Sequence, residues 1–82
     1  MSEENWIWQC DRTIPNDTTV GRQVLDELLE QLALRHWPVR DMFGVNLAVE
    51  EAIVNAVVHG NAQDASKHVR VRCRIYPKKV RV

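Results

Sequence analysis

Apolar and polar residues alternate with a period of two near both ends of the chain, which is typical of strands with one buried face. Residues 5–13 predict a half-buried strand, and one of its faces carries Trp6, Trp8 and Cys10. We expect these tryptophans to lie in the core or in an interface. Residues 69–75 predict a second strand, apolar on one face and rich in arginine on the other. Pro77-Lys78-Lys79 predicts a turn, after which residues 80–82 begin the next strand of a hairpin.

Between these strands the apolar residues recur at steps of three and four, as on one face of a helix. The first such run predicts a helix that begins at a cap on Asp17 and continues to about His36. Its apolar positions are Val20, Val24, Leu25, Leu28, Leu29 and Leu32. With a second helix after it, the order is strand, helix, helix, strand, strand. That order predicts an α+β fold in which two helices pack on one face of a mostly antiparallel sheet.

The second helix is predicted to follow the break at Pro38 and to begin at a cap on Asp41. It is predicted to run to His59, with Gly60 closing it in a left-handed conformation. Residues 61–66 are then expected to form a connecting loop.

A polar stripe interrupts the apolar sequence of the second helix. Glu51, Asn55 and His59 lie at steps of four, so they span only about 80° of the helix circumference. A buried carboxylate or amide needs partners, so we expect this stripe to line a cleft or an internal polar network. Glu50 lies about 100° further round and is expected to face solvent. The alternative is structural: Glu51 and Asn55 cap or bridge neighbouring elements, and His59 is an ordinary histidine of the last turn.

Residues 47–61, with Glu-x-x-x-Asn extended by Ala56, His59 and Gly60, resemble the N-box of the GHKL ATPases, and most closely that of bacterial anti-sigma-factor serine kinases. The resemblance implies that Glu51 is a catalytic general base and that Asn55 is a Mg²⁺ ligand beside bound ATP. It implies that His59 lies near the phosphates of the nucleotide. The residue types suit this chemistry, because Mg²⁺ prefers hard oxygen ligands and a nearby carboxylate can accept a proton.

The resemblance also implies a fold, the first half of the two-layer α/β sandwich of histidine-kinase-like ATPases. Related domains complete their nucleotide site with an Asp-x-Gly-x-Gly box and a glycine-rich lid, and neither sequence occurs here. We therefore expect residues 1–82 to form a single domain, the N-terminal part of such an ATPase domain, and to be inactive as a kinase by themselves. By resemblance, the protein partners are a sigma factor and an anti-anti-sigma protein.

A small domain with an open strand edge tends to pair with another chain, so we expect a homo-oligomer or a strand exchange. The alternative to an ATP-binding regulator is a non-enzymatic interaction module or a degenerate half-domain. Such a module would associate through its sheet edge or through its basic hairpin.

Charge is balanced overall but unevenly placed along the chain. The sequence has 11 acidic and 11 basic residues, yet residues 65–82 contain seven of the bases and none of the acids. This hairpin is either a solvated sheet face or a surface for an anion or a partner. Neutral total charge and the lack of interleaved exposed aromatic residues on the hairpin argue against nucleic acid.

The remaining features concern the compartment. We find no uninterrupted apolar run of about 18 residues, and the N-terminus lacks the regions of a signal peptide, so we expect a cytoplasmic protein without a membrane span. Cys10 and Cys73 have no metal-site spacing and are interpreted as reduced packing residues. The histidines show no ligand spacing either, so no zinc site is expected.

Overall fold

The computed structural model describes residues 5–60, 64 and 66–82, which form an α+β fold, as the sequence predicts. The elements in chain order are β1 (Trp8–Pro15), α1 (Thr18–Leu34), α2 (Val39–Val54), a π-helical segment (Asn55–Gly60), β2 (His68–Ile75) and β3 (Val80–Arg81). Most of the predicted loop at 61–66 lies outside the described residues. The predicted C-terminal hairpin is confirmed, because Ile75 pairs with Val80 and Arg74 with Arg81.

The three strands form an antiparallel sheet in the order β1-β2-β3. β1 and β2 pair along eight residues each, which places Cys10 opposite Cys73 and Asp11 opposite Arg72. Because successive side chains of a strand point to opposite faces, the sheet has two unlike surfaces. The inner face is covered by the helices, and the outer face carries the arginines of β2 and β3.

The hydrophobic core lies between the inner face of the sheet and the two helices. Its buried residues come from every layer: Cys10, Ile14, Val24, Leu25, Leu28, Leu32, Val49, Ile53, Val57, Val71, Cys73 and Ile75. Among the described residues, α1 contributes three side chains with no exposed surface, Leu25, Leu28 and Leu32, and β2 contributes Ile75. The apolar periodicity of α1 therefore predicted the face that this helix buries.

The ends of α1 follow from its flanking residues. The carboxylate of Asp17 accepts a hydrogen bond from the backbone N–H of Thr19 at 2.8 Å, which confirms the predicted cap. The helix ends at Leu34, slightly before the predicted end. His36 has a φ of 61°, and the backbone N–H of Trp37 donates to the carbonyl of Leu32 at 3.1 Å. This left-handed residue stops the helix in the way that glycine often does.

The predicted cap and the predicted left-handed closure of the second helix were wrong, although the helical stretch does continue to His59 as predicted. α2 begins at Val39, directly after Pro38, so Asp41 lies inside the first turn. Its negative charge there interacts favourably with the helix dipole. Gly60 does not adopt a positive φ. Beyond Val54 the chain remains helical and widens into the π-helical segment.

For Trp6, the strand and the place in the core were wrongly predicted, while the alternative of an interface stays a prediction. β1 begins at Trp8, after a bend at Ile7, so the alternation of the sequence does not continue to Trp6 in the structure. The Trp6 side chain lies outside the core, 45% exposed, and its ring stacks on the guanidinium of Arg74.

The helical stretch Val39–Gly60 is long enough and apolar enough to cross a membrane, since it has 22 residues and its most apolar 18 residues have a mean hydropathy of 1.2. The expectation of no membrane span rested on the lack of an uninterrupted apolar run, and polar residues do interrupt this stretch. Glu50 and Glu51 lie inside the stretch, however, and carboxylates in hydrocarbon are costly. The same stretch also packs Val49, Ile53 and Val57 into the core. We therefore interpret it as a core helix of this fold.

Candidate functional site

Glu51, Asn55 and His59 lie on the surface of α2 and of the π-helical segment, and all three are exposed. The buried side of the same helix carries Val49 and Ile53, and Glu51 is about 200° round the helix from Val49. The expected internal polar network is therefore wrong, because no polar side chain is buried in the described part of the chain. The physical reason is that α2 packs against α1 and the sheet through one side only, which leaves the opposite side uncovered. The expected cleft stays a prediction.

The polar groups of this stripe are available to a ligand. Within residues 5–60, 64 and 66–82, the side chains of Glu51, Asn55 and His59 make no hydrogen bond and no ion pair. The alternative in which they cap or bridge neighbouring elements therefore has no contact to support it among these residues. A carboxylate, an amide and an imidazole thus present their donors and acceptors on one open surface.

The backbone changes its geometry within the stripe. Asn55 is the first residue of the π-helical segment, and its own N–H still donates to the carbonyls of Glu51 and Ala52. The turn that separates Asn55 from His59 is wider than an α-helical turn, because its hydrogen bonds skip one more residue. π-helical turns inside α-helices are often found at functional sites. This widening was not predictable from the sequence, since steps of four fit a regular α-helix equally well.

Glu50 differs from its neighbour Glu51 in its surroundings. It is exposed, as predicted, and its carboxylate lies 3.9 Å from a guanidinium nitrogen of Arg22. The same guanidinium contacts Asp26 at 3.0 Å and donates to Asn46 at 3.1 Å. This network joins α1 to α2, so Glu50 is engaged in helix packing while Glu51 is not.

Arg22 lies on the exposed side of α1. In the structure Arg22 and Glu50 lie beside a cavity of about 350 Å³ between the helices, lined by Thr18, Thr19, Arg22, Leu25, Glu50, Ile53 and Val54. An arginine four residues before an aspartate was the only signal of this network in the sequence, since it predicts an ion pair within α1 but not the contacts to α2.

The stripe has the donor chemistry of a magnesium nucleotide site. An amide oxygen from Asn55 and a carboxylate from Glu51 are hard oxygen donors, the kind that Mg²⁺ takes together with phosphate oxygens and water. No cluster of three or more His, Cys, Asp or Glu side chains in the described residues could hold a metal ion alone. A metal ion at this stripe would therefore depend on the oxygens of the nucleotide, as Mg²⁺ sites for ATP generally do.

The two cysteines lie far from this stripe, on the inner face of the sheet. Both are free and buried, and they are directly opposite each other in the pairing of β1 with β2. Burial raises the pKa of the Cys73 thiol to about 11, and burial also raises the pKa of Cys10. Both thiols are thus neutral packing groups at neutral pH.

Comparison with known proteins adds one match. The family model of the histidine kinase-like ATPase domain matches residues 14–82, a range that includes both helices and the whole polar stripe. No curated protein and no solved structure matches the chain significantly.

Proposed function

The chain belongs to the histidine kinase-like ATPase family, and we propose that it is an ATP-binding regulatory domain whose nucleotide lies against the polar stripe of α2. The observation that carries this proposal is the open position of Glu51 and Asn55. Their side chains project from one surface, unpaired with any described residue, and they have the chemistry that a Mg²⁺ nucleotide needs. A purely structural stripe would be expected to contact the neighbouring elements instead.

Each residue of the stripe has a separate role in this proposal. Asn55 holds Mg²⁺ through its amide oxygen, and Glu51, one turn before it, accepts the proton of an attacking hydroxyl group. His59 lies one wide turn further on, where its ring N–H can donate to a phosphate oxygen. When bound, ATP supplies the phosphoryl group, and Mg²⁺ neutralises the negative charge of its phosphate oxygens.

The finer assignment is to the anti-sigma-factor serine/threonine kinase branch, and hence to transcription regulation in the cytoplasm. It is supported by the sequence motif Glu51-Ala-x-x-Asn55-Ala-x-x-His59-Gly60. The partners in this proposal are a sigma factor and an anti-anti-sigma protein. Since the 82 residues contain no Asp-x-Gly-x-Gly sequence, we propose that they do not transfer phosphate by themselves.

Calorimetric titration of Mg-ADP and Mg-ATP into the chain tests the nucleotide site. We expect saturable heat that is lost in Asn55→Ala. Asn46→Ala is the matched control, because Asn46 belongs to the same helix but lies about 180° away from Asn55. Glu51→Gln should keep nucleotide affinity within about threefold, because a base for the chemical step contributes little to ground-state binding.

Two outcomes would count against the nucleotide site. If no heat is seen at millimolar nucleotide, these residues do not bind ATP. If Asn46→Ala weakens binding as much as Asn55→Ala, the stripe is not the binding surface. Circular dichroism of each variant separates a lost site from a lost fold.

A second candidate, self-association, is favoured by one apolar groove. The groove has a volume of about 270 Å³ and lies between α2 and the short edge strand β3, lined by Val45, Ala48, Val49, Ala52, Val80 and Val82. We propose that a second copy pairs with β3 and covers this groove. Light scattering at increasing concentration should show a dimer or a larger species, and a strictly monomeric mass at millimolar concentration would refute it.

A further inference from the structure

The outer face of the sheet carries a cluster of arginines that the ATP site does not explain. We define the arginine face as Arg70, Arg72 and Arg74 of β2 with Arg81 of β3, which together with Val82 line a shallow cavity of about 350 Å³. Arg74 and Arg81 are direct cross-strand neighbours. Like charges directly opposite each other destabilise a sheet, so this arrangement is unfavourable in the isolated chain.

Among the described residues, only one arginine of the face has a carboxylate bonded to it. Arg70 donates two hydrogen bonds to Asp11, at 3.0 and 2.8 Å, and this contact holds the pKa of Asp11 below its usual value. Arg72 is the register partner of Asp11, yet its side chain makes no hydrogen bond or ion pair with a described residue. The same is true of the Arg81 side chain. Three guanidinium groups therefore share the face without a carboxylate from the described part of the chain bonded to them.

Arg74 is held in place by neutral groups. Its Nε donates to the side-chain oxygen of Gln9 at 2.7 Å, and its guanidinium lies 4.3 Å from the centre of the Trp6 ring. These contacts fix the guanidinium plane, while its two outer nitrogens make no hydrogen bond with a described residue. A pre-oriented arginine of this kind loses little side-chain entropy when it binds a carboxylate in a bidentate manner.

We propose that the arginine face is a docking surface for a partner protein that presents an acidic segment. Charge complementarity selects carboxylates, which would relieve the repulsion between Arg74 and Arg81 and pair with Arg72. The surroundings are those of a protein interface, because exposed Trp6 and Val82 border the arginines, and tryptophan and arginine are enriched at interface hot spots.

Single-stranded nucleic acid is the less suitable polyanion. It binds largely by stacking its bases on open aromatic rings. Here the ring of Trp6 already has a guanidinium on one side, and the ring of Tyr76 has the ammonium of Lys79 at 5.2 Å from its centre.

Fluorescence anisotropy with a fluorescein-labelled decapeptide of alternating glutamate and leucine tests the proposal. The same peptide with lysine in place of glutamate is the probe control. Arg72→Glu and Arg81→Glu are each expected to weaken binding by about tenfold or more, as hot-spot changes do. Lys78→Glu is the matched control variant, because it makes the same change of charge in the exposed turn between β2 and β3. It should weaken binding by less than about threefold, as a change at a rim does.

Several results would overturn the proposal. One is the absence of binding at millimolar acidic peptide. Another is an equal loss in Lys78→Glu, which would mean that only net charge attracts the peptide. A third is that a ten-nucleotide thymidine strand binds more tightly than the acidic peptide and that the same arginine variants lose this binding. That result would identify a nucleic-acid surface. Circular dichroism of each variant shows whether it is folded. Arg72→Gln removes the arginine without adding a negative charge, and it should lose affinity as well.

Discussion

Gly21 of α1 and Ile53 of α2 lie so close that a Cβ atom on Gly21 would be only 2.6 Å from Cγ2 of Ile53. Both residues are buried. Cγ2 is attached directly to the branched Cβ of isoleucine, so it cannot move away without a change of rotamer or of the helix itself. The helices can pack at this distance because the chain has no side chain at position 21.

Gly21→Ala should therefore destabilise the fold, although alanine is the better helix former. The gain in helix propensity is about 1 kcal/mol, while overpacking a core contact costs about 1–3 kcal/mol. Gly44→Ala is the matched control, because nothing lies within 4 Å of a Cβ at that position inside α2. It should stabilise the fold by about 0.5–1 kcal/mol. Urea unfolding of both variants measures the difference, and a stabilised Gly21→Ala would show that the helices are not packed this closely.

Asp17→Ala should lower the free energy of unfolding by about 1 kcal/mol, because the first turn of α1 loses the acceptor for the Thr19 N–H. In a domain of this size, that change corresponds to about 4–8 °C in Tm. Asp17→Asn is the control, since its amide oxygen can accept the same hydrogen bond. Equal Tm values for Asp17→Ala and the parent chain would mean that the cap does not hold the helix end.

These two cases show which features could be predicted from the sequence. The cap at Asp17 was predictable because its hydrogen bond lies within a few residues of it along the chain. The core face of α1 was predictable for a similar reason, since a 3.6-residue period is a local property. The close contact of Gly21 with Ile53 was not predictable, because it depends on how two distant helices cross.

The candidate site shows the same division. The spacing of Glu51, Asn55 and His59 correctly placed them on one helix, but the sequence could not show that their surface would be uncovered. That outcome depends on which side of α2 meets α1 and the sheet. The π-helical segment and the stacking of Trp6 on Arg74 were missed because both depend on tertiary packing, which periodicity does not record.

Acid should weaken the fold partly through Asp11. Because Arg70 bonds to it, the pKa of Asp11 is lower in the folded chain than in the unfolded chain. The resulting stabilisation is fully present above the unfolded-state pKa of about 3.9, and it is lost as the pH falls through the folded-state value. Asp11→Asn should therefore show a smaller loss of urea stability between pH 6 and pH 2 than the parent chain. Arg70→Gln should reduce the acid loss of stability to a similar extent. If the free energy of unfolding falls equally with pH in all three proteins, the pairing of Asp11 with Arg70 is contradicted.

The cysteines should be unreactive until the chain unfolds. Cys10 and Cys73 are buried under α1, and the pKa of Cys73 is raised to about 11, so the reactive thiolate is scarce at pH 8. A chromogenic disulfide reagent should therefore modify the native chain only as fast as it unfolds, and should modify both thiols rapidly in urea.

The raised thiol pKa also has a consequence for stability. An unfolded thiol ionises near pH 8.5, whereas the folded Cys73 stays neutral up to about pH 11. The unfolded state is therefore favoured progressively as the pH rises through this range, and stability should fall. Cys73→Ala should remove this part of the alkaline loss, even though it lowers stability at pH 7 by leaving a small cavity. Rapid modification of the native chain at pH 8 would show that Cys73 is not the buried neutral thiol that its place opposite Cys10 indicates. The same conclusion would follow if Cys73→Ala lost as much stability at alkaline pH as the parent chain.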